Sequence, residues 1–319
     1  MQISLTYKSK QFFWLLIKLT IVFGCAFFIY QKLVFNNDIN FSFFKNELIQ
    51  KNIFTVKNLC ILLFFSVFNW VLEILKWQNL VNIIQNISFK IATTQCLASL
   101  TTSLITPNRI GEYGAKSMYF KKPLRKQILG FNFIGNFYQL IATLFFGSIG
   151  FSFFVSKYPV KINFNSVFGI LIIIFLAFSI IYLLIKSFQT GASYLQRIKN
   201  FIQKISFSLN LKILSLSFLR YLVFSHQFYF LLVLFGIEIP YLDTIAAITS
   251  IYLIASIVPM LSFFDIVLKS TVAIWVFSFL KVDILIVLNA VTLIWILNFA
   301  IPAVIGSYFV LTFKPNFTK

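Results

Sequence analysis

Residues 91–126 read IATTQCLASLTTSLITPNRIGEYGAKSMYFKKPLRK, and the fold turns on how this stretch sits in the chain around it. It begins as a short apolar segment rich in hydroxyls. It then turns through Thr106, Pro107, Asn108, Arg109, Ile110, Gly111 and Glu112 and ends in a basic cluster. The surroundings are mostly Phe, Leu and Ile: of 319 residues 60% are hydrophobic and 11% charged, and the mean hydropathy is +0.91. A soluble domain carries about a quarter charged residues. The chain therefore reads as an integral membrane protein, and without a long polar run it forms one membrane domain over 1–319.

Basic residues outnumber acidic ones by 27 to 8, a net charge of +19. They lie in loops between apolar spans, where the positive-inside rule and anionic lipid headgroups account for them, so nucleic acid is set aside as a partner. Apolar spans are expected at 12–30, 58–76, 127–155, 167–185, 213–235, 262–280 and 284–311. The first lacks a small-residue cleavage site and reads as a retained span.

Segment 91–106 is different. At 16 residues, with seven Ser or Thr and Gln95, it falls short of the roughly 20 needed to cross. If it crossed from a cytoplasmic start, Arg109, Lys116, Lys121, Lys122, Arg125 and Lys126 would lie outside, against the positive-inside rule. A re-entrant segment keeps them inside. Irregular backbone at membrane depth survives only when buried in protein or lining a wet cavity, so a cavity is expected too. Loop 186–212 carries Lys186, Arg197, Lys199, Lys204 and Lys212 without an acid and reads as cytoplasmic, whereas Glu238 and Asp243 mark the outer side.

Polar residues inside the spans raise separate questions. Asn69 and Glu73 share a helix face; Glu73 either pairs with Lys76 near the membrane edge or faces a polar interior. Asn132, Asn136 and Gln139 form one stripe, directed at the cavity or at amides of other helices. Arg220, His226 and Gln227 interrupt a later span. Cys25, Cys60 and Cys96 read as packing residues, and lone His226 has no second ligand nearby in sequence, so neither metal nor cofactor is expected.

From Thr244 the opening pattern returns. A short segment with four Ser or Thr runs to Pro259, then Asp265 and Lys269, as Pro107 leads to Glu112 and Lys116. An acid with a base four residues on can pair along a helix, and broken segments at corresponding places in two halves point to a transporter site. An inverted repeat is the hypothesis. The expected fold class is all-α: a polytopic membrane protein with about seven or eight membrane segments, two of them re-entrant or broken. No catalytic residue is identified, since paired-His, nucleophile-elbow and phosphate-loop motifs are missing.

Three stretches, 106–112, 220–227 and 259–265 with Lys269, resemble the lysylphosphatidylglycerol synthase transmembrane, or flippase-like, family. The resemblance covers roughly residues 10–312, and its most specific part is the P-x-R-x-G-E turn. It implies a stand-alone membrane domain that translocates a phospholipid or lipid-linked glycoconjugate across the inner membrane. Asn108 stands where the family often has Gly, tolerable because Asn also adopts left-handed backbone. Lys269 stands where Arg is frequent, keeping charge but losing bidentate geometry.

Under this reading Arg109, Lys116, Arg220 and Lys269 attract an anionic headgroup. Glu112 and Asp265 hold those cations or recognise a cationic substituent, and Gln227 joins the headgroup cavity. Pro107, Asn108, Gly111 and Pro259 shape the turns. The alternative is a membrane-embedded lipid-modifying enzyme, or an accessory subunit of a cell-envelope lipid or glycan synthase, with Glu112 or Asp265 as its base.

Overall fold

The computed structural model describes residues 15–24, 26–27, 30, 55–104, 106, 109–160, 201, 203–257 and 265–314, the side chains of Asp265 and Ile266 excepted. Pro107, Asn108, Pro259, Cys25, the expected span 167–185 and most of loops 31–57 and 186–212 lie outside these residues. What is described is all-helical, 85% helix with no strand. Helix α1 is Leu15–Gly24, α2 Val56–Val81, α3 Phe89–Leu104, α4 Ile110–Met118 and α5 Arg125–Lys157. Helix α6 follows at Phe207–Leu234, α7 at Tyr241–Ile257 and α8 at Asp265–Ser278. Helix α9 is Ile284–Trp295, joined by a π-helical turn, Ile296–Ala300, to α10, Ile301–Thr312.

Among the described residues four helices are long and apolar enough to cross a membrane: Val56–Val81, Lys122–Lys157, Phe207–Leu234 and Ile284–Thr312. The last is the central one, with 61% of its most apolar window buried against 17–33% for the others. The outward faces of these helices, the end of the last included, expose Phe64, Phe133, Phe137, Phe153, Ile305 and Tyr308, an apolar surface suited to lipid rather than water. Helix α6 begins earlier than the apolar span at 213–235 implies, because Ser206 caps it: its hydroxyl accepts from the Leu209 N–H at 3.2 Å. Thr55 and Asp283 cap α2 and α9 in the same way.

Helix α5, 33 residues long, is about 50 Å from end to end at 1.5 Å per residue, so its ends define two levels. At its N-terminal end the Arg125 side chain donates to the Phe120 carbonyl and Lys204 reaches Gln127. Lys212 also reaches Asn79 near the end of α2 at 2.7 Å. Tyr119, just past α4, meets Phe313 edge to face at 4.7 Å. Lys18 donates to the Leu311 and Phe313 carbonyls, capping the C-terminus of α10 with a cation where the helix dipole favours one. At the other end of α5 Lys157 bonds both carboxylate oxygens of Asp243, at 2.8 and 2.7 Å, and Phe154 packs on Phe279.

Helices α3 and α4 form a hairpin with its base at the first level. Near the tip the Thr102 hydroxyl donates to the Gly111 carbonyl at 3.0 Å; near the base Thr94 and Tyr119 line one surface hollow. Helices α7 and α8 pack on each other with their base at the second level, near Asp243 and Phe279. Each short hydroxyl-bearing helix also leans on a long one: α3 on α10 and α7 on α5.

The α3–α10 contact depends on Gly306, where a Cβ would lie 2.2 Å from the Leu97 carbonyl oxygen and 2.4 Å from the Thr101 hydroxyl. Thr101 bonds the Ala303 carbonyl across the same seam at 2.8 Å. Gly306→Val should therefore cost about 1–3 kcal/mol by overpacking, read as a lower thermal midpoint of the purified protein. Gly114→Ala, where a Cβ meets nothing within 4 Å, should leave the midpoint unchanged or raise it.

Candidate functional site

The tip of the first hairpin is built from hydroxyls and one glycine. Thr106 accepts from the Gly111 N–H at 2.8 Å, supplying a partner to a backbone group that the break in the helix leaves without one. A Cβ at Gly111 would sit 2.4 Å from the Thr102 carbonyl oxygen, so only glycine lets the arms touch here. The expectation placed left-handed backbone at Asn108, which lies outside the described residues; Arg109 adopts it, at φ 56°. A non-glycine residue held there is uncommon, and it turns the Arg109 side chain back over α4.

The Arg109 guanidinium lies 3.2 Å from Glu112 Oε2. The Lys116 ammonium donates to Glu112 Oε1 at 2.8 Å and to the Asn132 side-chain oxygen at 2.7 Å, with its Nζ 4.4 Å from the centre of the Trp77 ring. A second cluster lies beside the first. Arg220 donates to Glu73 at 2.6 Å and to Asn69 at 2.9 Å, and Lys76 approaches the same Glu73 oxygen at 2.7 Å. Glu73 thus pairs with Lys76 and does so inside a polar interior shared with Arg220.

Asn69 continues the network. It donates to the Asn298 side-chain oxygen at 2.9 Å, Asn298 donates to Gln227 at 2.8 Å, and Gln227 donates to the Ser66 hydroxyl at 2.8 Å. The placement of Asn298 follows from Pro302. Proline has no N–H for the carbonyl four residues earlier, which is that of Asn298, and the helix widens into a π turn there. The Trp70 indole donates to that carbonyl at 3.1 Å. The amide stripe on α5 faces inward as well: Asn132 meets Lys116, Asn136 donates to the Tyr113 hydroxyl and Gln139 accepts from Arg220 at 3.4 Å.

Between these networks lies a cavity of about 220 Å³, well above the ~10–15 Å³ that one water requires. Arg109, Arg220 and Lys269 line it with Asn69, Gln139 and Asn298, and Trp70, Tyr252, Trp295 and Phe299 supply much of the aromatic wall. Arg109 and Lys269 come from different hairpins yet flank one ring: Arg109 Cζ lies 6.0 Å and Lys269 Nζ 5.3 Å from the centre of Phe299, within cation–π range. A gap of about 20 Å³ on the α4 side shares Trp70, Arg109 and Arg220 with the cavity. Such a chamber can seat an anion between cations while aromatic surface meets its less polar part.

Of the residues expected at a headgroup cavity, Arg109, Arg220 and Lys269 line it. Lys116, expected to attract the headgroup itself, is 2% exposed and tied to Glu112 and Asn132 behind the wall; a lysine that deep needs charge and hydrogen-bond partners, and it has them. Glu112 borders the smaller gap, and Gln227 is fully buried against Ser66 and Asn298. The Asp265 side chain lies outside the described residues. His226 is placed apart, Nδ1 donating to the Leu222 carbonyl and Nε2 near the Tyr241 hydroxyl. Sequence reasoning missed Asn298 as a hub and the aromatic wall; the spacing of Asn298 four before Pro302 was the available signal for the first. No family model, curated protein or solved structure matches the chain.

Proposed function

We propose that this chain translocates an amphiphile with an anionic headgroup, a phospholipid or lipid-linked glycoconjugate, between leaflets of the inner membrane, as its resemblance to the flippase-like family implies. The observation that carries the reading is the meeting of two helical hairpins, based at opposite ends of α5, at one cavity lined by Arg109, Arg220 and Lys269. That arrangement supports two re-entrant segments related by inverted topology, the architecture in which broken helices frame a mid-membrane site. The basic end, with Lys121, Lys122, Arg125 and Lys126, is the cytoplasmic one by the positive-inside rule. A headgroup crossing hydrocarbon loses its hydrogen bonds with water; the cations and amides of the cavity replace them while the acyl chains stay in lipid.

Orientation has its own test. In a cysteine-free background, Lys90→Cys and Lys121→Cys, at the two ends of the first hairpin, should both react with an impermeant maleimide from the same side, and Lys281→Cys from the other. Labelling of Lys90→Cys and Lys121→Cys from opposite sides overturns the re-entrant reading. For function, the purified chain in liposomes with a leaflet-specific fluorescent lipid should speed lipid exchange, and Glu112→Gln should slow it about ten-fold by loosening Arg109 and Lys116. Normal exchange in that variant together with loss of a modified lipid would mean a lipid-modifying enzyme instead.

A further inference from the structure

Trp70 is held at the cavity by its polar edge. Its indole N–H donates to the Asn298 carbonyl at 3.1 Å, which the π turn before Pro302 leaves open to it. Among the described residues the ring stacks on no other aromatic, unlike Phe224 and Tyr252 across the cavity, which meet edge to face at 4.8 Å. It lines both the cavity and the smaller gap beside it. The polar groups near this ring offer donors and an acceptor together. Arg220 gives Nε to Asn69 and Nη1 to Glu73 and Gln139, so Glu73 balances its charge. The two N–H bonds of Nη2 are not engaged by the described residues, and Arg220 lines the cavity. Gln139 is loosely held: its oxygen accepts from Arg220 at 3.4 Å and its nitrogen donates to the Ser217 carbonyl at 3.4 Å, both beyond the roughly 2.7–3.2 Å of a good N–H···O bond. An amide held so weakly can turn either its donor or its acceptor to a ligand.

We propose that this corner of the cavity seats a single sugar ring, so that the translocated headgroup is that of a glycoconjugate and not of a plain phospholipid. The negative face of an indole attracts the weakly positive C–H groups on the face of a sugar. Sugar hydroxyls both donate and accept, as Ser and Thr hydroxyls do, and so match Arg220 Nη2 and the Gln139 amide at once. A phosphate oxygen only accepts, and it gains nothing from the Gln139 oxygen or from the negative face of Trp70. At about 220 Å³ the cavity is smaller than the ~300 Å³ from which drug-sized ligands are usually seated, which suits one ring and not a chain of them. This names the substrate class of the site described above and rests on the translocation reading for the lipid tail.

The test uses the full chain in nanodiscs and two phosphodiesters of equal charge, farnesyl glucosyl phosphate and farnesyl methyl phosphate, each competed against a fluorescently tagged copy of the first. Methyl glucoside is the third competitor. The glucosyl diester should bind about ten-fold or more tightly than the methyl one, the worth of one hydrogen bond to a charged donor. Gln139→Leu should lower that preference with little change in the thermal midpoint, since the bonds it loses are long. Trp70→Leu should abolish the preference, whereas Trp70→Phe, which loses the bond to Asn298 but keeps a ring face, should retain most of it. Equal affinity of the two diesters, no binding of the tagged probe, or a preference unchanged in Gln139→Leu and Trp70→Leu overturns the proposal; if Trp70→Leu does not fold, Gln139→Leu decides alone. Methyl glucoside binding as tightly as the glucosyl diester keeps the sugar site and removes the lipid. Leaflet exchange without sugar preference keeps translocation and overturns this inference, whereas sugar preference without exchange does the reverse.

Discussion

Arg220→Met should be the most damaging single change in the polar core, lowering stability by about 3–5 kcal/mol, the usual scale for removing one partner of a buried ion pair. Arg220 gives Glu73 a 2.6 Å contact and holds Asn69 and Gln139 from the same guanidinium. Its loss leaves Glu73, buried on α2, with Lys76 alone, and removes one polar tie from α6 to each of α2 and α5. Glu73→Gln in the same chain should restore part of the loss, because the carboxylate left behind accounts for much of the damage. Unfolding of the single and double variants in mixed micelles gives the coupling energy, expected above about 1 kcal/mol for groups in one network. A coupling near zero would mean that the contact contributes nothing to the fold.

Lys116→Met should act on the same scale at a different place. Its ammonium is the common partner of Glu112 and Asn132 and therefore pins the first hairpin to α5. Without it Glu112 keeps only the half-exposed Arg109, and the hairpin should loosen. Cys96, buried on α3 beside this cluster, reports the change: in a Cys25→Ser, Cys60→Ser background its reaction with a maleimide should quicken by about ten-fold or more, following the cost of opening. Lys116→Arg should not rescue the variant, since the longer, bulkier guanidinium exceeds the fully buried space in which the compact ammonium meets Glu112 and Asn132 together. Full rescue by arginine would reduce the role of Lys116 to charge alone.

The long apolar helices among the described residues were legible because such helices are set by length and hydropathy, which are local. The helices at Val56–Val81, Lys122–Lys157 and Ile284–Thr312 lie within a few residues of the expected 58–76, 127–155 and 284–311. Helix α6 was harder, since its first turn is capped by Ser206 and continues into a segment of loop-like composition. The inward direction of Asn132, Asn136 and Gln139 was readable from helix periodicity. Their partners were not, because Lys116, Tyr113 and Arg220 meet them only once separate elements pack.

Residues 91–126 mark the division. By itself the sequence determined that this stretch opens on a short, hydroxyl-rich apolar segment, that its turn carries Arg109 and Glu112, and that it ends in a basic cluster. Only the tertiary structure decided which charges meet. Lys116 turns inward to Glu112 and Asn132, while Arg109, carried by a left-handed residue, reaches the cavity opposite Lys269. The reason is physical: a buried charge is stable only against partners, and Arg220, Asn132 and Phe299 lie far away in sequence, so their proximity depends on how the helices cross.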